Sequence, residues 1–254
     1  MTLWASLGAY DETAEVSALR NRSVEVLEHL AAIAGERPNT VQPLLGVQAL
    51  VHQLKRIAPA ATRSSWVLQP EYSYDPEDPG VALTRTARAR GVETELITLP
   101  ATLDTHPLLS SIFPGTMLGP VFLRGLVVDR RHAIVGGPPD ASGRRVAWYS
   151  TIPSVVDALT DVWQATLPLC RPILAPGENP PLSDRQVEVA RMVCVGMKDH
   201  MIARSLGVSP RTVERDVARI LEVLGAGSRT RAVLMMRGRG VNGGWMRDPA
   251  GAGG

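Results

Sequence analysis

Between positions 182 and 237 the apolar residues fall into four short helical periods, each opened by a residue suited to start a helix. The third is the sharpest. At about 100° per residue, Val213, Val217, Ile220, Leu221 and Leu224 share roughly one third of the circumference, while Arg211, Arg215 and Arg219 centre on the opposite side. Ser209 offers a hydroxyl to the free N–H groups of a first turn, Pro210 sits where no N–H is needed, and Gly225 suits a left-handed stop. The pattern predicts a helix with one core face and one cationic face. An ordinary amphipathic surface helix has the same wheel, so the neighbouring segments decide its meaning.

Upstream, positions 199–206 predict a short helix with Ile202, Ala203 and Leu206 inward, and Gly207-Val208-Ser209 is the kind of turn that joins the helices of a helix-turn-helix. Before it, Ser183-Asp184-Arg185-Gln186 fits an S-x-x-Q capping box, and Val189, Met192 and Val193 give a supporting helix its apolar stripe. Ser228 opens a fourth helix running from Arg229 to about Arg237, with Ala232, Val233, Leu234 and Met236 as its apolar positions. A packed helix pair with arginines outward has the geometry of a groove reader.

In order along the chain, Leu182-Ser183-x-Arg185-Gln186-x-Glu188-Val189, Gly196, Ile202-Ala203-Arg204-x-Leu206-Gly207-Val208-Ser209-Pro210-Arg211-Thr212-Val213, Arg219-Ile220-Leu221-x-x-Leu224-Gly225 and Ser228-Arg229-Thr230-x-Ala232-Val233 resemble the LuxR/GerE-type four-helix DNA-binding domain of bacterial transcription regulators. The resemblance implies that the third helix enters the major groove with Ser209, Arg211, Thr212, Glu214, Arg215 and Arg219, and that Lys198 and Arg229 lie near phosphates. It also implies dimerisation through Ala232, Val233 and Met236 of the fourth helix. Three features depart from the family. Glu214 and Asp216 stand where a lysine and a histidine are usual, and Lys198 and Met201 replace the usual Ser-x-x-Glu start of the second helix, leaving Asp199 to cap it one residue later. Glu214 either accepts from cytosine N4 or is a bystander repelled by phosphates. The implied partners are double-stranded promoter DNA, a second copy of the chain, RNA polymerase for an activator, and a small-molecule effector. No cofactor is implied. Regulators of secondary-metabolite or developmental gene clusters in actinomycetes resemble this architecture.

The first 181 positions carry a different pattern. Positions 12–34, with Val16, Leu19, Val24, Leu27, Leu30 and Ile33, predict a long amphipathic helix ended by Gly35-Glu36-Arg37-Pro38, which either packs on its own domain or pairs with its copy. Helices are predicted over 41–57, 79–90 and 153–167, and strands over 65–69 and 92–99. A long strand over 117–128 continues through a hairpin at Asp129-Arg130-Arg131-His132 into 133–135. Strands separated by helices predict an α/β sensor domain. The expected organisation is an N-terminal helical segment at 1–38, the α/β domain at 39–168, a proline-rich linker at 169–181, the all-α four-helix domain at 182–240 and a disordered tail at 241–254.

Within the α/β part, Phe122-x-Arg124-x-x-x-x-Asp129 resembles a degenerate half of a phospholipase-D-like fold, as found in TrmB-type sugar-responsive regulators; a generic α/β domain is the alternative. Active phospholipases of that superfamily need His-x-Lys-x-x-x-x-Asp, because the imidazole attacks phosphorus and the lysine holds the phosphate oxygens. Phe122 cannot attack phosphorus, so the resemblance implies a non-catalytic domain and no catalytic residues.

Charge sharpens this division. Positions 182–247 hold 12 Arg/Lys against 6 Asp/Glu, net +6, whereas positions 1–181 hold 15 against 18, net −3. Cations concentrated on the helix-turn-helix predict DNA binding that weakens steeply with salt. Five scattered histidines and the two cysteines, Cys170 and Cys194, show no metal-ligand spacing or disulfide framework. With no secretory signal and no membrane-length apolar run, a cytoplasmic, nucleoid-associated protein is expected. Only Lys55 and Lys198 among 27 basic residues are lysine, which suggests a GC-rich bacterial source. The acidic, aromatic stretch Glu71–Asp78 reads either as the lining of an effector pocket or as a solvated loop. Two functions compete: a transcription regulator, and a phosphodiester-acting enzyme with an appended DNA-binding domain. Control by phosphorylation is not expected, since no early apolar strand ends in paired acids.

Overall fold

The computed structural model describes residues 13–36, 40–140 and 142–237. The predicted helix start at Glu12, its stop at Arg37-Pro38, and the segments 238–240 and 241–254 lie outside the described residues. One mixed sheet of eight strands, in the order β1-β7-β6-β5-β2-β3-β4-β8, organises the first domain. Its strands are β1 (Val41–Leu45), β2 (Ser64–Gln69), β3 (Glu93–Thr98), β4 (Met117–Leu118), β5 (Arg124–Val128), β6 (His132–Gly136), β7 (Val146–Ser150) and β8 (Arg171–Pro172). β2, β3 and β4 run parallel, while β5, β6, β7 and β1 add as an antiparallel meander on one side and β8 closes the other. Short α4 (Thr102–Thr105) and α5 (Leu109–Ile112) bridge β3 and β4.

The sheet is covered on both faces, and strand alternation sorts its side chains between them. Val127, Ala133 and Val135 pack with α1 (Ala14–Glu36) and α6 (Pro153–Thr166), whereas their neighbours Val128 and Ile134 turn to α2 (Gly46–Ile57) and α3 (Pro79–Ala89). On the first face α6 buries Val155, Val156, Leu159, Val162 and Trp163, the last stacked on Trp66 of β2 with centroids 5.9 Å apart. Gly125 of β5 permits that approach, because a Cβ there would lie 2.7 Å from Leu159 Cδ1. α1 contributes Val16, Leu19, Val26 and Leu30 to the same core. The long N-terminal helix thus packs on its own domain.

Three expectations are corrected and one strand is added. Positions 41–57 are not one helix: 41–45 form edge strand β1, because Gly46 at φ +79° breaks the backbone and Pro43 interrupts helical bonding but is tolerated at a sheet edge. Positions 117–128 are two strands, since the chain leaves β4 beside β3 and re-enters on the far side of β2. Val146–Ser150, missed by the sequence reading, supplies β7 with the buried pattern of a strand between β1 and β6. The proline-rich linker starts inside the fold, with Arg171–Pro172 paired to β4 and the N–H of Ile173 donating to Thr116 O at 2.9 Å.

The predicted hairpin is present, and its turn explains Asp129. Arg131 N–H donates to Val128 O at 3.0 Å, and both central residues, Asp129 and Arg130, have φ +52°. This is the turn geometry that matches strand twist, at some steric cost for residues other than glycine. The Asp129 carboxylate offsets that cost by accepting the N–H groups of Thr62 (2.8 Å), Arg63 (2.8 Å) and Ser64 (2.9 Å) and the Thr62 hydroxyl (3.1 Å). Partial burial pushes this carboxyl up, but the donors from Ser64, Thr62 and Arg63 outweigh it and hold the pKa below its ordinary value.

Candidate nucleic-acid interface

The C-terminal domain contains α7 (Asp184–Cys194), α8 (Asp199–Leu206), α9 (Pro210–Leu224) and α10 (Arg229–Met236), and its caps follow the sequence signals closely. Ser183 and Gln186 exchange both bonds of a capping box. Ser209 Oγ accepts from Thr212 N–H at 3.1 Å with Pro210 in the first turn, and Ser228 caps α10 by accepting from Arg231 N–H. Gly207 (φ +66°) and Gly225 (φ +59°) end α8 and α9 in left-handed conformations, and Val208 N–H returns to Ala203 O at 3.0 Å. These stops set the turn that throws α9 across α8. Val189, Ile202, Val213, Ile220, Ala232 and Met236 meet in the core.

An ion pair with a buried carboxylate fixes α9 on α7. Asp216, only 3% exposed, accepts from Arg185 Nε (2.8 Å) and Nη2 (3.2 Å) and from Gln186 Nε2 (3.3 Å). The departure from the family at this position is therefore an internal tether. Asp216 does not present its charge to solvent; Glu214 does.

Arg211, Glu214, Arg215 and Ala218, at the 3–4–7 spacing of one helix face, are exposed on α9, as are Arg219 and Glu222 beside them. Arg211, Arg215, Lys198 and Arg204 have no ion-pair partner among the described residues. Arg204 on α8 and Ala218 on α9, not singled out by the sequence, are exposed as well. Arg204 was visible in the Ile202-Ala203-Arg204 motif, and Ala218 was visible in the wheel but carries no charge to attract notice. Ser209 and Thr212 share a hydroxyl contact of 2.9 Å at the start of α9, so both are bound into its cap.

Other predicted residues are placed differently. Arg219 donates to Glu222 (2.8 Å) and to Pro181 O (3.3 Å), which holds α9 to the incoming chain. Arg229 reaches Asp199 and Met197 O, joining α10 to the start of α8. Asp199 consequently does not cap α8: Lys198 is the N-cap residue, without a side-chain bond, and the Asp199 carboxylate binds Arg229 instead. Ala232 (1% exposed) and Met236 (0%), expected at a dimer contact, face inward to the domain core. Val233 is half-buried, and Leu234 is the large apolar residue that α10 exposes.

The phospholipase-like triplet does not converge. Arg124 begins β5 and pairs with Glu71 at 3.3 Å, whereas Asp129 lies beyond the other end of β5, about 15 Å along an extended chain. Burial lowers the Arg124 pKa to about 10, with Arg145 acting in the same direction and Glu71 opposing. Phe122 is buried beneath the Arg20 guanidinium, 5.0 Å from its ring centroid. Among the described residues no group of three His, Cys, Asp or Glu is arranged to hold a metal ion, and no helix is long and apolar enough to cross a membrane.

The two domains touch. Leu182 N–H donates to Ser111 Oγ at 3.2 Å, and Tyr74, Leu108 and Ile112 of the first domain pack into the apolar core of α7–α10.

Residues 180–236 match the family described as bacterial regulatory proteins, luxR family. Over 48 residues the chain is 46% identical to the bialaphos biosynthetic pathway regulatory protein of Streptomyces hygroscopicus, covering 19% of this chain and 19% of that protein. Over 60 residues it is 40% identical to the transcriptional regulatory protein YdfI of Bacillus subtilis (strain 168), covering 24% of this chain and 28% of that protein. The chain thus matches well under a third of the length of either relative. Among solved structures it is similar to the archaeal chromatin protein TrmBL2, at 16% identity and a TM-score of 0.42 over 63% of this chain and 64% of that one. The C-terminal domain is a luxR-family helix-turn-helix domain, joined to a mixed α/β domain.

Proposed function

We propose that this protein is a transcription regulator that binds promoter DNA as a homodimer, with α9 in the major groove. The observation that carries this reading is the exposed Arg211–Arg215 stripe, unpaired among the described residues, on a capped luxR-family recognition helix. Arg215 reads a base edge, guanine for preference, because a guanidinium pairs with O6 and N7 together. Arg211, Thr212, Lys198 and Ser209 position the helix on phosphates, joined by Arg204 from α8. Arg219 and Arg229 contribute mainly by holding helix geometry, since their guanidinium groups already have partners. Glu214 stands in the exposed stripe, where it selects cytosine or repels phosphate.

For the dimer, Thr230, Val233 and Leu234 replace the inward-facing Ala232 and Met236 as the contact face. Likeness to a regulator of a biosynthetic pathway supports promoters of a secondary-metabolite gene cluster as targets. The protein acts in the cytoplasm without a catalytic role of its own, and as an activator it would contact RNA polymerase. The Phe122 side chain, in place of a nucleophilic imidazole, supports the non-catalytic reading.

Selection of bound duplexes from a random pool, followed by footprinting, tests this function. An inverted repeat covered by two copies is the expected result, with Arg215→Ala relaxing one base position and weakening binding by about 1–3 kcal/mol. Enrichment of no motif by the intact protein would reject sequence-specific binding. A single half-site bound by one copy would reject the dimer.

A further inference from the structure

Between α2, α3 and the sheet lies a cavity of about 170 Å³, on the face opposite α1 and α6. Leu50, Leu54 and Ile57 of α2 form one wall, Leu83 and Ala87 of α3 another, and Val67, Leu126 and Ile134 the floor. A space of this size holds an aromatic ring or a short aliphatic chain. Polar groups stand at both ends of α3. The Tyr72 hydroxyl donates to Asp78 Oδ2 at 2.5 Å, Asp78 Oδ1 accepts the N–H of Gly80 at 2.7 Å, and Arg88 donates to Thr94 Oγ1 while its guanidinium lies 6.0 Å from the Phe113 centroid. Asp78 caps the N-terminal end of α3 and Arg88 lies in its last turn, about 15 Å along the helix, so the cation lines the opposite end and one end carries the Tyr72 hydroxyl donor beside the Asp78 carboxylate acceptor. That combination favours an uncharged head able to donate and accept, such as a hydroxyl. Burial raises the pKa of Asp78, which disfavours unpaired charge there.

The wall that carries Tyr72 and Asp78 continues into the DNA-binding domain. Tyr72 contacts His106 at 4.9 Å between centroids, and Tyr74 meets the other side of the same ring system edge-on at 5.4 Å. Thr105 ties the segment down, its hydroxyl donating to Tyr72 O and its carbonyl accepting Tyr74 N–H. Tyr74, 4% exposed, packs with Leu108 among the core residues of α7 and its neighbours. One residue, His106, thus separates Tyr72 of the cavity wall from Tyr74 in the core of the helix-turn-helix domain.

From this arrangement the structure assigns the cavity as a regulatory site for a small uncharged molecule with an apolar body and one hydroxyl-like head, whose occupancy is transmitted through Tyr72, His106 and Tyr74 to α7. The transmission to DNA affinity rests on the regulator reading above; occupancy of the cavity does not.

The test uses the full chain, with 4-methylphenol as the probe and toluene as its headless counterpart. Calorimetry and saturation-transfer NMR should show millimolar or tighter binding of 4-methylphenol, with toluene weaker by about tenfold, the value of one good hydrogen bond. Leu54→Trp, which puts an indole into the cavity from a half-buried position, should abolish binding; Asp78→Asn, which can still cap α3, should remove most of the preference for the hydroxyl. Saturating 4-methylphenol should alter amide exchange across α7 and shift DNA affinity severalfold, and Tyr74→Leu should cancel both effects while probe binding persists. Probe binding unaffected by Leu54→Trp, or no binding, would overturn the site. Binding that leaves α7 exchange unchanged would overturn the transmission. Failure to find specific DNA, with probe binding and α7 response intact, would instead count against the regulator reading alone.

Discussion

Replacing Asp216 with alanine separates a structural acid from one that faces the groove. The carboxylate is buried and accepts three hydrogen bonds, two of them from the Arg185 guanidinium. Hydrogen bonds to charged groups are worth about 1.5–3 kcal/mol each, but Arg185 is about half exposed (48%), so water takes over much of its side of the pair. A loss of about 2–4 kcal/mol follows, or on the order of 10–20 °C in the melting of a domain this small. Asp216→Asn keeps an acceptor and should lose about half as much. Urea and thermal unfolding of the full chain measure the effect, with fluorescence anisotropy on a selected duplex run below the melting temperature. Destabilisation with base preference intact is the expected outcome. Unchanged stability together with altered base preference would refute the tether and place Asp216 at the DNA.

Glu214→Gln should leave stability within about 0.5 kcal/mol, since the residue is exposed, and should raise affinity for nonspecific duplex if phosphate repulsion is its main effect, as a salt titration would show. Gly207→Ala should cost about 1 kcal/mol in denaturant unfolding, entirely through its φ of +66°, because an added Cβ meets nothing within 4 Å. Gly125→Ala should cost about 1–3 kcal/mol, since its Cβ would press on Leu159 in a close-packed layer; a neutral result would mean that α6 can move away. Asp129, whose folded pKa is depressed, contributes stability that is present above its unfolded value of about 3.9 and is lost as pH falls through the folded value. Asp129→Asn should therefore flatten the acid limb of the stability curve and leave its neutral limb lower.

The helix-turn-helix was legible because its signals are local. Ser183, Ser209 and Ser228 cap within three residues, and Gly207 and Gly225 stop helices without help from afar. What the wheel could not show was the destination of each charge. Asp216 looks like a groove residue until Arg185, 31 positions earlier, is seen to fold over it, and Arg229 looks free until Asp199 approaches. The sheet was harder to read for the same reason. Val41–Leu45 has neither clear alternation nor a turn ahead of it, and its strand state comes from pairing with β7, more than 100 positions later. Met117–Val128 reads as one apolar run because β4 and β5 are buried alike, although they lie on opposite sides of β2 and β3. The cavity was not legible: its walls come from α2, α3 and four strands, and only the aromatic loop hinted at it.

Both outer strands of the sheet contain a proline, Pro43 in β1 and Pro172 in β8, and β8 is only two residues long. A proline offers no N–H to an incoming strand, and a two-residue edge gives a stranger almost nothing to zip against. Copies of such a domain would therefore resist fusing edge to edge into extended β-aggregates. The most exposed large apolar residue of the C-terminal domain lies instead on a helix, Leu234 of α10.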